Sequence, residues 1–390
     1  MARLKVMVLT HAYLAEENRK KLSLLGREVE LEVVSPDRAT TPLFRYRIER
    51  RVLEGPSYTM RFYRPLPERG IPARNFLLSA NLDMERFRPD VLHLEAAPWA
   101  LMSAQALRCA RQHVPQAAVV CTVRQNTYTR YGPLTAMKDW LARRGIRRID
   151  RFIAGNAGSR EILVQRFGVS PETIDSNLQL GVDTELFRPA TSAERRQLRR
   201  AWRLAEDAVV VGYCGRFVEE KGLRALVEAV RAVRTRTGAR LQLALLGDGP
   251  LRGWLEQADS DIVLHRTVAH AEVASFLRAL DVFVLPSLII PEHEEHDAHA
   301  LLEALSCGVA SIGTESGAIP EILQGAGLLV PPAALEKLGE AVAQLLTPAA
   351  RKPWEEAGRQ RILERYSNER IVERQMRTYH QALAHRRQRG

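Results

Sequence analysis

Short runs of consecutive apolar residues alternate along the whole chain with segments in which apolar side chains recur every three or four positions. Leu4–Leu9, Val29–Val34, Val91–Leu94, Ala118–Thr122 and Arg151–Ala154 in the first half read as buried strands, as do Val209–Tyr213, Leu241–Leu246, Ile262–Leu264, Val282–Leu285 and Val309–Gly313 in the second. Each is too short for a helix and is bounded by polar or turn-forming residues. Helical patterns fall between them, at Ala15–Leu25 and Ala100–Arg111, then at Gly222–Arg234, Pro250–Gln257, Ala271–Leu280 and His299–Cys307. This alternation predicts an α/β chain of parallel sheets with helices on both faces. The pattern occurs twice, so two doubly wound, Rossmann-like domains are expected, facing across a cleft. The join is placed after Gly181–Pro189, which divides residues 1–189 from 190–370. Ala190–Glu206 is polar, Arg-rich and without a strand. The tail is helical and strongly charged, and its last part, 371–390, is expected to cross back onto the first domain.

A length of 390 residues suits two domains, and 46% hydrophobic with 26% charged residues excludes long disorder. The longest apolar run, Val282–Pro291, reaches about half of the 18–20 residues that a spanning helix needs. The sequence MARLKVMVLTHAY runs into a strand-like segment without a small-residue cleavage site. Cys109, Cys121, Cys214 and Cys307 form no CxxC pair, which argues against a disulfide framework or a thiolate zinc site. A cytoplasmic protein is the expectation. The net charge of +11 is uneven. Residues 1–190 hold about 30 basic and about 20 acidic side chains, so the first half is expected to meet an anion.

In an open parallel sheet, ligands bind beyond the carboxyl ends of the strands. The loop after Val209–Tyr213 reads Gly215-Arg216-Phe217-Val218-Glu219-Glu220-Lys221-Gly222. It combines two glycines, two cations and the start of a helix, a set of groups suited to a diphosphate. It also reads as a Gly-rich turn with two solvated cations. Gly247-Asp248-Gly249-Pro250 follows the next strand but lacks the GxGxxG spacing of a dinucleotide fingerprint. In the segment from Pro286 to Ala304, Glu295 and Glu303 lie eight residues apart across a loop-to-helix junction. They suit polyol hydroxyls if both line one cleft, and are two solvated carboxylates otherwise.

GRFVEEKG, LLGDGPL, DVFVLPS, the Glu295–Glu303 pair, EALSCGVASIGTESGAIPEIL and AGLLVPP follow one another in one order, with LGVDTELFRP ahead of them. Together they resemble the nucleotide-sugar-dependent retaining glycosyltransferases of family 4, which have the GT-B fold. The resemblance is strong over about 208–335 and weaker in the first half. It implies a UDP- or GDP-linked sugar as donor and a hydroxyl of a sugar or lipid-linked acceptor, with no metal or other cofactor. It gives catalytic roles to Arg216, Lys221 and Glu295: the two cations match those that hold the donor diphosphate, and Glu295 matches the glutamate that addresses the donor sugar. Glu303 matches the glutamate that holds the ribose. Gly215, Gly222, Gly247, Val268, His296, Asp297, Ala298, His299 and Gly317 fall where such enzymes line the donor site. The second domain then holds the donor and the first the acceptor.

The sequence departs from the family pattern in three places. His296-Asp297-Ala298-His299 replaces the usual small, aromatic and glycine residues, Thr10-His11-Ala12-Tyr13 replaces a Gly-Gly loop, and Arg124-Gln125-Asn126 stands where many members carry a histidine. His11, His93, Gln125 and Asn126 are therefore the acceptor-side candidates, although His93 also reads as a core histidine.

Two other readings compete. His293, His296 and His299 among carboxylates suggest a metal-dependent hydrolase, without HExxH spacing. Asp259-Ser260-Asp261 mimics a metal-binding DxD but precedes a strand. The basic first half suggests a nucleic-acid or membrane binder without catalysis. On a helical wheel over Met137–Ile153, Arg143, Arg144, Arg147, Arg148 and Arg151 share a face with Trp140, and anionic lipid rather than nucleic acid is the partner expected for it.

Overall fold

A computed structural model of the chain describes residues 3–40, 45–66, 75–128, 134–290 and 294–389. The chain divides into two compact units, Met1–Gly181 with Asn368–Gly390, and Val182–Ser367.

The first unit is built on an eight-stranded sheet. From edge to edge its strands are Ile174–Ser176, Arg151–Ala154, Ala118–Val123, Val91–Leu94, Lys5–Leu9, Glu30–Pro36, Tyr58–Tyr63 and Val52–Glu54. All neighbours are parallel except the last pair, a hairpin. The central strands are buried on both faces, which is why they read as unbroken apolar runs. Tyr58–Tyr63 instead alternates buried and half-buried side chains, a period-2 signal that a search for continuous runs passes over. One face is covered by Lys20–Glu28 and by the terminal helix Asn368–Arg389, whose Tyr379 and Ala382 are fully buried. The opposite face packs against Leu101–His113 and its neighbours.

The second unit has six strands, all parallel, in the order Ile262–His265, Leu241–Leu246, Val209–Cys214, Val282–Leu285, Ala310–Thr314 and Leu328–Val330. Ala190–Glu206 is not a bare polar linker. It contains the helix Ser192–Ala201, started by a capping box in which Thr191 and Glu194 bond each other's backbone N–H. Its Arg199 is buried and paired with Asp281, which also takes Arg351 at 3.3 Å and the Val210 N–H at 2.8 Å. Arg199, with Arg195 3.4 Å from the same carboxylate, fastens the unit while Arg196 and Arg200 face solvent, because a buried carboxylate needs its cations at hand. Among the described residues no helix is long and apolar enough to cross a membrane.

Candidate active site

The strand order reverses in each sheet: between Val209–Cys214 and Val282–Leu285 in the second unit, and between Lys5–Leu9 and Val91–Leu94 in the first. At such a point the loops leaving two neighbouring strands diverge and open a crevice at the carboxyl edge.

In the second unit the diverging loops are 215–222 and the described residues 286–290 and 294–298. Tyr213, fully buried, donates its hydroxyl proton to the Arg216 carbonyl at 2.8 Å and so fixes the first turn of the loop. Arg216 is about one-third exposed and has Glu220 at 3.4 Å, so its guanidinium is only loosely held. Lys221 is 8% exposed and donates to Glu295 Oε2 at 2.5 Å. The same oxygen accepts from Ser287 Oγ at 2.7 Å, and the Glu295 carbonyl accepts from the Ala318 N–H at 2.9 Å. Arg216, Lys221 and Glu295 thus come together at the switch point, one cation open to solvent and the other locked to a carboxylate.

The glycines of these loops have steric reasons. Gly222 sits at φ +66°, and a Cβ there would lie 2.0 Å from the Pro286 carbonyl oxygen. Gly247, at φ +150°, would bring a Cβ to 1.9 Å from the Gly215 carbonyl oxygen, so Gly215 and Gly247 are where two loops touch. Gly317 also has positive φ and turns the chain into the short helix Ile319–Leu323. Ala298 is the exception: it is not glycine, yet it adopts φ +45° as N-cap of His299–Ser306, and it supplies no side-chain cap. That conformation costs an alanine about 1–2 kcal/mol.

Glu303 lies in that helix and accepts from His270 Nε2 at 2.7 Å; the His270 ring stands 5.0 Å from that of Phe187. His270 and Phe187 were not singled out from the sequence, since a histidine opening a helix and an aromatic in an interdomain-like segment carry no pattern of their own. Val268 lies half-buried just before His270. His299 Nε2 is 4.0 Å from Asp297 Oδ2, and His296 is half-buried beside them. His293 lies outside the described residues, and among the described residues no group of three metal-ligating side chains assembles. Asp259 and Asp261 are both bound by Arg234, so that DxD is an arginine-held turn.

In the first unit the crevice holds a buried polar network that sequence reading did not find. Glu95 follows Val91–Leu94 and accepts from Lys21 Nζ and the Tyr13 hydroxyl at 3.1 Å, and from Gln179 Nε2 at 2.7 Å. Lys21 also donates to the Gln179 carbonyl at 2.6 Å. Burial alone would raise the Glu95 pKa, but Lys21, with the other donors, pulls it down to about 2 and keeps it ionised. A lysine on an amphipathic helix reads as solvent-facing, which hid Lys21. His11 lies at the rim of this network. Burial and then Arg124 lower its pKa to about 4, and among the described residues its buried Nδ1 has no hydrogen-bond partner. Gln125 and Asn126 follow Ala118–Val123, two strands away from the strand preceding His11, and both are half-buried.

His93 is not an acceptor-side group. It is 1% exposed, with Nδ1 2.8 Å from the Tyr379 hydroxyl and Nε2 2.8 Å from Thr122 Oγ1, so both ring nitrogens are used inside the sheet-to-helix packing. Burial lowers its pKa to about 4 against an unfolded value of 6.5. The unfolded chain then binds more protons between those values, so His93 and His11 contribute stability that is fully present above about pH 6.5 and is lost as pH falls toward 4. Melting temperature measured from pH 7 to pH 4.5 should fall for this unit, with a shallower slope in His93→Gln; an unchanged slope in that variant removes His93 as a cause.

The basic face expected on Met137–Ile153 is also redistributed. Arg151 forms a two-bond pair with Asp175, and Arg143 donates to the Arg166 carbonyl at 3.0 Å beside Phe167. Arg151 is thereby neutralised, while Arg143 stays exposed.

Two family models match the chain: Glycosyltransferase Family 4 over residues 22–186 and Glycosyl transferases group 1 over 208–348. A GDP-mannose-dependent alpha-mannosyltransferase of Corynebacterium glutamicum is 28% identical over 257 residues, which are 64% of this chain and 55% of that protein. A D-inositol 3-phosphate glycosyltransferase of Saccharomonospora viridis is 29% identical over 252 residues, 60% of this chain and 56% of the relative. The match thus spans little more than half the length of these relatives. Among solved structures, a sucrose-phosphate synthase of Thermosynechococcus elongatus superposes with a TM-score of 0.71 at 18% identity, covering 98% of this chain and all of that one. A glycosyltransferase of Rickettsia africae gives 0.70 at 12% identity, covering 98% of this chain and 99% of the other. Matched models on both halves, on two Rossmann-like sheets shared with GT-B structures, make this chain a member of glycosyltransferase family 4.

Proposed function

We propose that the protein transfers a sugar from a nucleoside-diphosphate sugar to an acceptor hydroxyl, with retention of anomeric configuration. The observation that carries the reading is the pairing, at the second unit's switch point, of a loosely held Arg216 with Lys221 and Glu295 on glycine-pinched loops. Breaking the anomeric C–O bond leaves an oxocarbenium-like sugar and a diphosphate with added negative charge. Arg216, Lys221 and the helix start after Gly222 present positive charge before the reaction begins, so little reorganisation is needed as charge develops. Lys221 held by Glu295 is positioned to donate to a leaving oxygen, and Glu295, anchored through Ser287 and Ala318, addresses the sugar hydroxyls. Glu303, steadied by His270, takes the ribose hydroxyls. The acceptor oxygen forms the new bond on the face that the diphosphate leaves, and its proton departs with the diphosphate oxygen.

Relatives named as GDP-mannose-dependent and a family-like structure solved with UDP support a GDP- or UDP-linked donor. The first unit's crevice, with His11 and the Lys21–Glu95–Gln179 network, is the acceptor side in this reading, and the enzyme works without a metal in the cytoplasm, at the membrane when its acceptor is lipid-linked. A thermal-shift screen of UDP, GDP and their sugars tests it. One nucleotide family should raise the melting temperature, with about 2.7 kcal/mol of stabilisation at a hundredfold excess over Kd, and EDTA should leave the shift intact. No stabilising nucleotide, or a shift abolished by EDTA, contradicts the reading.

A further inference from the structure

Several arginines of this protein are paired with carboxylates: Arg151 with Asp175, Arg166 with Asp139, Arg199 and Arg351 with Asp281. Five others gather in one place in the first unit. Arg108 and Arg111, near the end of Leu101–His113, and Arg144, Arg147 and Arg148, at the end of Leu134–Ile146, line one cavity of about 420 Å³. Among the described residues none of the five has a carboxylate within ion-pair distance or a hydrogen bond to protein; Arg144 lies over the exposed Trp140 ring, and Arg148 Nε is buried without a partner. The cavity's other wall is apolar, formed by Leu107, Leu141 and their neighbours.

Cations at two helix C-termini gain from the helix dipoles, which lets the chain tolerate the crowding but leaves their donors unused. Each guanidinium brings a planar fork of N–H groups matched to phosphate oxygens. Burial, then Arg386 and Arg111, disfavour the charge on Arg148, so an anion seated there relieves a repulsion already built into the unit.

We propose that this cavity is a binding site for a phosphate group, in a different unit from the 215–222 loop and independent of the transferase reading. Arg111 and Arg148 hold the phosphate from the two helices, with Arg108, Arg144 and Arg147 at the rim, and the apolar wall accepts whatever the phosphate is attached to. The ligand chemistry is shared by a free phosphate compound and by a lipid headgroup.

Two arms separate these sources. Calorimetric titration with inorganic phosphate reads the free anion; co-sedimentation with phosphatidylcholine vesicles, with and without phosphatidylglycerol, reads the headgroup. Binding is expected in at least one arm, weakening as salt rises, and weakening at least about tenfold in Arg111→Ala/Arg148→Ala, while the charge-matched Arg196→Ala/Arg236→Ala, at exposed positions of the second unit, leaves it unchanged. Binding only to phosphatidylglycerol vesicles assigns the site to a lipid headgroup; binding only to inorganic phosphate assigns it to a soluble ligand. If Arg111→Ala/Arg148→Ala loses its melting transition, Arg111→Lys/Arg148→Lys takes its place and should bind more weakly because the forks are gone. Absence of binding in both arms, or binding untouched by these substitutions or equally reduced by Arg196→Ala/Arg236→Ala, overturns the proposal.

Discussion

Arg216→Ala should lower kcat by about 10²–10³-fold while leaving the melting temperature close to that of the parent protein. The two halves of that result come from one geometry. Arg216 is about one-third exposed and touches Glu220 only at 3.4 Å, so the folded state loses little when the side chain is truncated. A diphosphate leaving group would lose a preorganised cation at the moment its charge grows. Steady-state kinetics beside a thermal melt checks both. A variant that turns over as the parent does removes Arg216 from the reaction, and one that melts far lower makes it a structural residue.

Lys221→Ala should fail in a different way, losing turnover and stability together. Lys221 and Glu295 are each about 10% exposed and joined at 2.5 Å. Removing the lysine leaves a buried carboxylate without its paired cation, at a cost of about 3–5 kcal/mol. In a unit of this size that lowers the melting temperature by on the order of 10 °C. Lys221→Ala/Glu295→Gln removes the unpaired charge and should recover most of the melting temperature without recovering transfer. Recovery of turnover in the double variant shows that the lysine acts only by neutralising Glu295; failure to recover the melting temperature shows that the buried charge was not the source of the loss.

The fold was legible because parallel strands buried on both faces announce themselves as apolar runs. Val91–Leu94, Arg151–Ala154, Leu241–Leu246 and Val282–Leu285 have the same ends in the sequence reading and in the structure. Tyr58–Tyr63, next to the edge, and the edge strand Val52–Glu54 alternate more and less exposed side chains and so form no apolar run. Ser192–Ala201 was hidden by its arginines, whose buried partner Asp281 is some 80 residues further on in sequence, as the 82-residue separation of Arg199 and Asp281 shows.

The candidate donor residues were found for a related reason. Arg216, Lys221, Glu295 and Glu303 sit in segments that follow strands and carry motifs of their own, so each is marked locally even though Lys221 and Glu295 are 74 positions apart. The network of Lys21, Glu95 and Gln179 joins residues 74 and 158 positions apart through polar contacts made only when the sheet closes. Nothing local marks them. His93 could be read two ways from the sequence, as available at a strand end or as a core histidine, and the structure has the second: Tyr379 from the terminal helix and Thr122 from the adjacent strand occupy both its nitrogens.

The central claim is that Arg216 and Lys221 receive the diphosphate of an activated sugar. A crystal structure of the protein with the nucleoside diphosphate that stabilises it most tests this directly. The account predicts the terminal phosphate within hydrogen-bond distance of the Arg216 guanidinium and Lys221 Nζ, with the ribose on Glu303. Phosphates bound in the same crystal away from residues 215–222, with Arg216 still turned to Glu220, would contradict it.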